Sequence, residues 1–292
     1  MTRWDDRAAV PLFHTVEGAG QRTLLLVHGE ACDSHDWAPQ IDAFAARHRL
    51  IIPDLPGHGR SSPAPHGHTP RDFADDLAGL LVTTGEGPVV AVGHSAGAVI
   101  ASVLAVERPD LVEAVIAVSP RYGMDAGRAA ARAAAVGVPR PAEAIARLLA
   151  EDEGPPTGPA ADWLPAWRRR RALGTADDVV TRTAAGLYDA QNGPVVRPAC
   201  EPYLRRRTCP VLTVCSRASL EARGVGPGWD RSVSPHPYSA CVVHDGAGHW
   251  PHQRRPEEFN DLVLDWTAGL PTPGTGRQGR LSAGQFPVIG RN

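Results

Sequence analysis

Short apolar runs alternate along this chain with longer stretches in which apolar residues recur at helical spacing. The runs are "RTLLLVHG" (Arg22 to Gly29), "HRLIIPDLPG" (His48 to Gly57), "GPVVAVGHS" (Gly87 to Ser95), "LVEAVIAVSP" (Leu111 to Pro120), "CPVLTVCS" (Cys209 to Ser216) and "SACVVHDG" (Ser239 to Gly246). Nearly every residue in them is apolar and turn residues follow, a pattern that predicts strands covered on both faces, as in a parallel sheet. Between them, "DWAPQIDAFAARH" (Asp36 to His48) and "TPRDFADDLAGLLVTTG" (Thr69 to Gly85) read as helices. The second carries Thr69 at the N-cap, Pro70 at the first helical position and acidic residues in its first turns. Strand and helix in alternation predict an α/β fold built on a doubly wound, mostly parallel sheet.

The alternation stops after Ser119 and resumes near Val211. The alanine- and arginine-rich stretch between them offers no good strand and is broken by "EDEGPPTGPAADW" (Glu151 to Trp163). It predicts a helical cap inserted over the strand ends. The expected organisation is a core from residues 1–120 and 208–270, a cap or lid at 121–207, and a Gly- and Pro-rich tail at 271–292 with too few apolar residues to pack firmly. No internal repeat is evident.

Charge narrows the partners. Lys and Arg number 30 against 32 Asp and Glu, for a formal charge of -2. No molecule-wide field recruits nucleic acid or an anionic membrane, so the expected partner is a small molecule. The N-terminus lacks the basic-then-apolar order of a signal peptide, and no apolar run approaches the ~18 residues of a membrane span. The expected location is therefore cytoplasmic. Cys32, Cys200, Cys209, Cys215 and Cys241 form no CxxC pair, which favours reduced thiols over zinc or redox chemistry and leaves only a Cys200–Cys209 disulfide as an open alternative. No metal or other cofactor is expected, and the oligomeric state is not readable.

The chemistry begins at "GHSAG" (Gly93 to Gly97). A buried strand precedes it and a small-residue helix pattern follows, which is the context a G-x-S-x-G nucleophile elbow requires. Such a turn projects the Ser95 hydroxyl above the sheet, and glycines flank it because side chains there would clash. "LVHGE" (Leu26 to Glu30) follows an early strand, where the N–H of Glu30 can join that of Ala96 in holding an oxyanion. "DLPGHGRSS" (Asp54 to Ser62) follows the next strand. "DGAGHWPHQ" (Asp245 to Gln253) sets His249 on a glycine-rich turn, from which it can act as general base for Ser95.

These motifs, HG, D-x-P-G-H-G-x-S, G-H-S-x-G and G-x-G-H, occur in the order of the α/β-hydrolase superfamily, which the chain resembles from about Leu12 to Leu270. "ACDSHDW", "SVLAVERPDLV" and "GHWPHQRRPEEFN" are similar to small intracellular hydrolases of fungi and actinobacteria. The resemblance implies an esterase-like serine hydrolase acting on an ester, thioester or lactone. Cofactor-free lyases, C–C hydrolases, dioxygenases and non-catalytic ligand-binding proteins on the same fold remain as alternatives.

One member of the pattern is missing. The acid that orients the histidine in relatives follows the penultimate strand, where this chain has Ser219, or follows the strand after the elbow, where it has Ser119. Glu221, two residues beyond the first place, is the preferred substitute because its longer side chain could recover the displacement. Asp125 and the absence of any acid are the alternatives. Specificity is expected to lie in the cap, where Trp163, Leu164, Trp167, Leu187 and Tyr188 could wall an apolar pocket, with Cys32 on the core side or simply inert. His28, His58, His94, Asp54 and Arg60 read as supports for loop backbone, and "WRRRR" (Trp167 to Arg171) reads as a solvated helix face.

Overall fold

The computed structural model describes residues 10–65, 67–153, 163–188, 194–271 and 289–291. In chain order the elements are β1 (His14–Glu17), β2 (Thr23–Val27), a 3-10 turn (Ser34–Gln40), α1 (Ile41–Ala45), β3 (Arg49–Pro53), α2 (Pro70–Thr84), β4 (Val89–His94), α3 (Ala96–Glu107) and β5 (Val112–Val118). The inserted helices α4 (Ala126–Val136), α5 (Pro141–Glu153), α6 (Leu164–Gly174), α7 (Asp177–Tyr188) and α8 (Cys200–Leu204) follow. The chain then returns through β6 (Val211–Cys215), α9 (Arg217–Arg223), α10 (Trp229–Ser232), β7 (Ala240–His244), α11 (Pro251–Arg254), α12 (Pro256–Gly269) and β8 (Ile289–Arg291).

The strands make one eight-stranded sheet in the order β1-β3-β2-β4-β5-β6-β7-β8. Only β1 runs antiparallel, against β3. The period-two geometry of a strand explains the near-continuous apolar runs. Leu25, Val27, Ala91, Val115 and Ala117 pack into one cluster with α2 and α3. Their neighbours Leu24, Leu26, Val90, Val92 and Ile116 join Trp37, Phe44, Phe259 and Trp266 on the other face. Helix α3 is buried on all sides from Ala96 to Val106, as an all-apolar helix must be. Helix α2 starts as its sequence predicts: the Thr69 hydroxyl accepts from the Asp72 N–H, the Asp72 carboxylate accepts from the Thr69 N–H, Pro70 opens the helix and Gly85 closes it in the left-handed region.

The insertion is helical as expected, and buried charge ties it to the core. Arg168 and Arg171 lie three apart on α6 and therefore share a face. Arg171 pairs with Asp36 at 2.5 Å and with Asp33 at 3.3 Å. Arg168 donates to the Gln253 side chain at 2.7 and 3.0 Å and lies 4.3 Å over the Trp250 ring. The "WRRRR" stretch is thus solvated only at Arg169 and Arg170, a correction that comes from helix periodicity. Beyond α12, the Leu270 and Pro271 carbonyls accept from Arg22, and Ile289–Arg291 pair in parallel with β7. Residues 272–288 lie outside the described residues. All five cysteines are buried and unpaired by disulfides, and no described helix is long and apolar enough to cross a membrane.

Asp36 is fully buried. Burial opposes its ionisation, but Arg171 and the neighbouring imidazoles hold its carboxyl below the usual range. Replacing Arg171 with Met leaves that charge without its counter-ion, and should lower unfolding free energy by about 3–5 kcal/mol. Urea denaturation at neutral pH measures this; a loss below about 1 kcal/mol would mean that the pair behaves like a surface ion pair.

Candidate active site

Ser95 sits between β4 and α3 with φ 55° and ψ -114°, a conformation that a non-glycine residue adopts only where the surroundings enforce it. Its N–H donates to the Val118 carbonyl at 2.9 Å. A Cβ on Gly93 would lie 2.2 Å from the Gly97 carbonyl oxygen, and one on Gly97 would lie 2.3 Å from that of Val27 and 2.4 Å from that of His28. Both flanking glycines are therefore required by backbone passing close to backbone.

The HGE loop rests on the elbow. A Cβ on Gly29 would meet His94 Nδ1 at 3.2 Å and Ser95 Cβ at 3.3 Å, and Ala31 has φ 53°. The next loop fixes this one in place. His28 Nε2 accepts from the Leu55 N–H at 2.9 Å, so its proton sits on Nδ1, which donates to the Gly29 carbonyl at 2.8 Å. The Asp54 carboxylate accepts from the N–H groups of Ser34 at 2.7 Å and Arg60 at 2.8 Å, while His58 bonds the Pro56 carbonyl and Arg60 covers the Phe13 ring. These side chains support backbone, as their types and loop positions predict. The backbone N–H groups of Glu30 and Ala96 donate to no acceptor among the described residues, and both residues are buried beside the serine.

His249 reaches the site on a turn whose glycines, Gly246 and Gly248, have φ 74° and 59°. Its carbonyl accepts from His94 Nε2 at 3.0 Å, and its N–H donates to the Asp152 carbonyl at 3.2 Å. The His94 ring packs 4.8 Å from that of His249, 4.4 Å from Trp250 and 4.6 Å from His252. Burial, with Arg121, His94 and Arg132 adding positive charge, drives the His249 pKa well below the ordinary imidazole value. Its Nε2 is buried without a hydrogen-bond partner among the described residues.

No carboxylate bonds the His249 ring among the described residues. Ser219 is buried and lines a cleft of about 250 Å³ with His249, Gly248, Arg121 and Asp152. Glu221 is exposed on α9 and does not replace it: residues two apart on a helix face different directions, so the additional methylene has the wrong vector. Asp125 caps α4 through the Arg128 N–H and pairs with the Arg128 guanidinium. Ser119 is fully buried at φ 42° with an unpartnered hydroxyl.

Of the expected pocket residues, Tyr188 is buried and donates a long 3.5 Å hydrogen bond to Glu30 Oε2. Cys32 is buried in the main core cluster, and burial and Asp36 push its thiol pKa up, so it behaves as an inert thiol. Trp163 is 56% exposed and packs edge-on to Trp167, which lies under Arg171 at 3.9 Å. Trp163 and Trp167 therefore clothe α6 and do not wall the cleft. Leu164 and Leu187 are buried.

The sequence reading overlooked Arg121, Arg132 and Asp152. Both guanidiniums donate to Asp152 Oδ2, Arg132 at 2.8 Å. Arg121 follows closely on β5, a position that could have drawn attention; Arg132 and Asp152 lie in helical sequence with no local signature. Elsewhere, Cys215, Asp230 and Cys241 place possible ligand atoms within 4.8 Å of one another. Both Asp230 oxygens already accept from the buried Arg223, at 3.0 and 2.7 Å, so a guanidinium supplies the positive charge that a metal would bring.

The Magnesium-chelatase 30 kDa subunit of Rhodobacter capsulatus is 28% identical over 260 residues, covering 84% of this chain and 87% of that protein. Among solved structures, a thermophilic esterase from Thermogutta terrifontis is similar with a TM-score of 0.71 at 27% identity, over 88% of this chain and 93% of that one. The enol-lactonase of Burkholderia xenovorans LB400 shares the fold with a TM-score of 0.69 at 21% identity, over 89% and 98% of the two chains. Residues 24–262 match the alpha/beta hydrolase family. With its strained serine elbow, its parallel sheet and that match over most of its length, this chain belongs to the alpha/beta hydrolase family.

Proposed function

We propose that this protein is a serine hydrolase that cleaves a small-molecule ester, thioester or lactone through an acyl-enzyme. The elbow carries the reading: Ser95 is held at positive φ beside two backbone N–H groups with no acceptor among the described residues. Ser95 Oγ attacks the carbonyl carbon while His249 takes its proton. The Glu30 and Ala96 N–H groups hold the oxyanion, and the leaving oxygen or sulfur departs with the proton from His249. Water, deprotonated by the same imidazole, then releases the acid and regenerates Ser95. The similarity to an esterase supports the bond type.

The pair works without the carboxylate that usually stabilises the imidazolium. Arg121 and Arg132 disfavour that cation further, which makes proton transfer to His249 costly and turnover slow. The same observation favours a second reading, a ligand-binding protein in which the elbow has lost its chemistry. A fluorophosphonate probe separates the two: it labels Ser95 in a hydrolase and leaves the binding protein unmodified.

Ser95→Ala should reduce ester turnover by about a thousandfold or more with the melting temperature preserved, and His249→Ala by a similar factor. The double variant should lose no more than either alone, because the two residues share one proton transfer. Additive losses in steady-state assays would show that they act separately.

Ser219→Asp should raise kcat by about tenfold or more, by returning a carboxylate to a position that lines the cleft with His249. Glu221→Gln should match the wild-type rate. A crippled Glu221→Gln variant would restore Glu221 as the acid.

The pH profile offers an independent check. A His249 pKa below the ordinary value keeps the imidazole neutral, and so able to accept a proton, in mildly acidic solution. The acid limb of kcat/KM should therefore fall below about pH 6, where an unperturbed imidazole would already be protonated. A midpoint near or above 7 would mean that His249 carries a stabilising negative partner.

A further inference from the structure

Resting on the hydrolase reading, we propose that the cleft beside His249 selects a substrate bearing a second, non-reacting carboxylate, which binds at the paired guanidiniums of Arg121 and Arg132. Two guanidiniums offer ten N–H donors, yet among the described residues their one hydrogen-bond acceptor is Asp152 Oδ2. The Arg132 Nε–H is buried with no partner among the described residues. The Arg121 and Arg132 side chains are only 5% and 13% exposed, so water does little to satisfy them. Donors outnumber acceptors in a place where an unmet donor is expensive.

The Asp152 carboxylate is shared between both cations. Burial opposes the ionisation of Asp152, but Arg121 and Arg132 prevail and hold its carboxyl below the usual range. For Glu30 burial wins, and its pKa rises despite the same two arginines. The two cations thus share one directly bonded carboxylate, with Glu30 close by and Glu151 exposed at the cleft. An arriving carboxylate supplies the missing acceptor atoms, and a guanidinium suits it because it can bind bidentately. Arg121, Asp152 and His249 line the same cleft, so an anion seated there belongs to a molecule whose other end lies near His249. That places the anchor on a short acid, with the scissile carbonyl a few bonds away.

The test compares glutarate with glutaramide, a neutral molecule of similar shape, in calorimetric titrations of the wild-type protein. It then compares kcat/KM for the monomethyl and dimethyl esters of glutaric acid. Glutarate should bind saturably and about tenfold or more tightly than glutaramide, and the monoester should be preferred by a similar factor. Arg132→Met should bring both ratios near one, and Arg132→Lys should restore part of each. If the Met variant does not fold, the wild-type ratios decide the matter on their own. Equal binding of the acid and the amide, together with equal use of the two esters, would overturn the anionic anchor and leave the hydrolase reading intact. Tight glutarate binding with no turnover of either ester would uphold the anchor and remove the hydrolase reading.

Discussion

The close passage of Gly97 beneath the end of β2 is the constraint on which the site depends. With the Val27 and His28 carbonyl oxygens 2.3 and 2.4 Å from where a Cβ would be, α3 can start only at that point and only with glycine there. The position forces Ser95 into positive φ, and burial of α3 on every side supplies the packing energy that holds the strained residue. It also sets the HGE loop against the serine, because the strand that brings Leu26 and Val27 alongside Val92 and Gly93 continues directly into that loop. Elbow and HGE loop are thus two consequences of one register between neighbouring parallel strands.

Around this rigid base the charges are arranged in two layers. The deeper one, Asp36 with Arg171 and the stacked rings of His94, His252 and Trp37, binds the cap to the core and sits behind His249. The nearer one joins Arg121, Arg132, Asp152 and Glu30, of which Arg121 and Asp152 line the cleft. Both are buried, yet they differ in pairing: Asp36 meets Arg171 at close range, whereas Asp152 is shared between two guanidiniums. A buried pair fixes a position in the fold. A carboxylate shared between two guanidiniums leaves N–H donors for another acceptor.

The histidine pays for this setting. In the usual triad a carboxylate fixes the tautomer and offsets the charge that develops on the imidazole. Here the His249 backbone is fixed instead, through His94 at its carbonyl and Asp152 at its N–H, while its ring is left among cations. Orientation and charge compensation, normally supplied by one residue, are separated in this protein, and only the first is present among the described residues.

Much of this was readable from the chain. Strand runs, the Thr69 cap and the glycine-bracketed serine and histidine are encoded within a few residues of one another, because backbone sterics and local hydrogen bonds decide them. The roles of His28, His58 and Asp54 were legible for the same reason. The substitution of serine at positions 119 and 219 was equally plain, but what took over from the acid was not. Glu221 was close in sequence and pointed elsewhere, since the direction of a side chain depends on a helix whose start was set by the Ser216 cap. Trp163 and Trp167, aromatic residues in the cap, proved to cover an outer helix face, and Arg168 and Arg171 turned inward from a run that looked uniformly solvated. The sequence by itself determined the sheet, the serine elbow and the glycine-bracketed histidine turn, because each rests on short-range geometry. Only the tertiary structure decided which charges surround them: Arg121, Arg132 and Asp152 come from separate elements of the insertion, and electrostatic interaction depends on distance through space, which separation along the chain does not report.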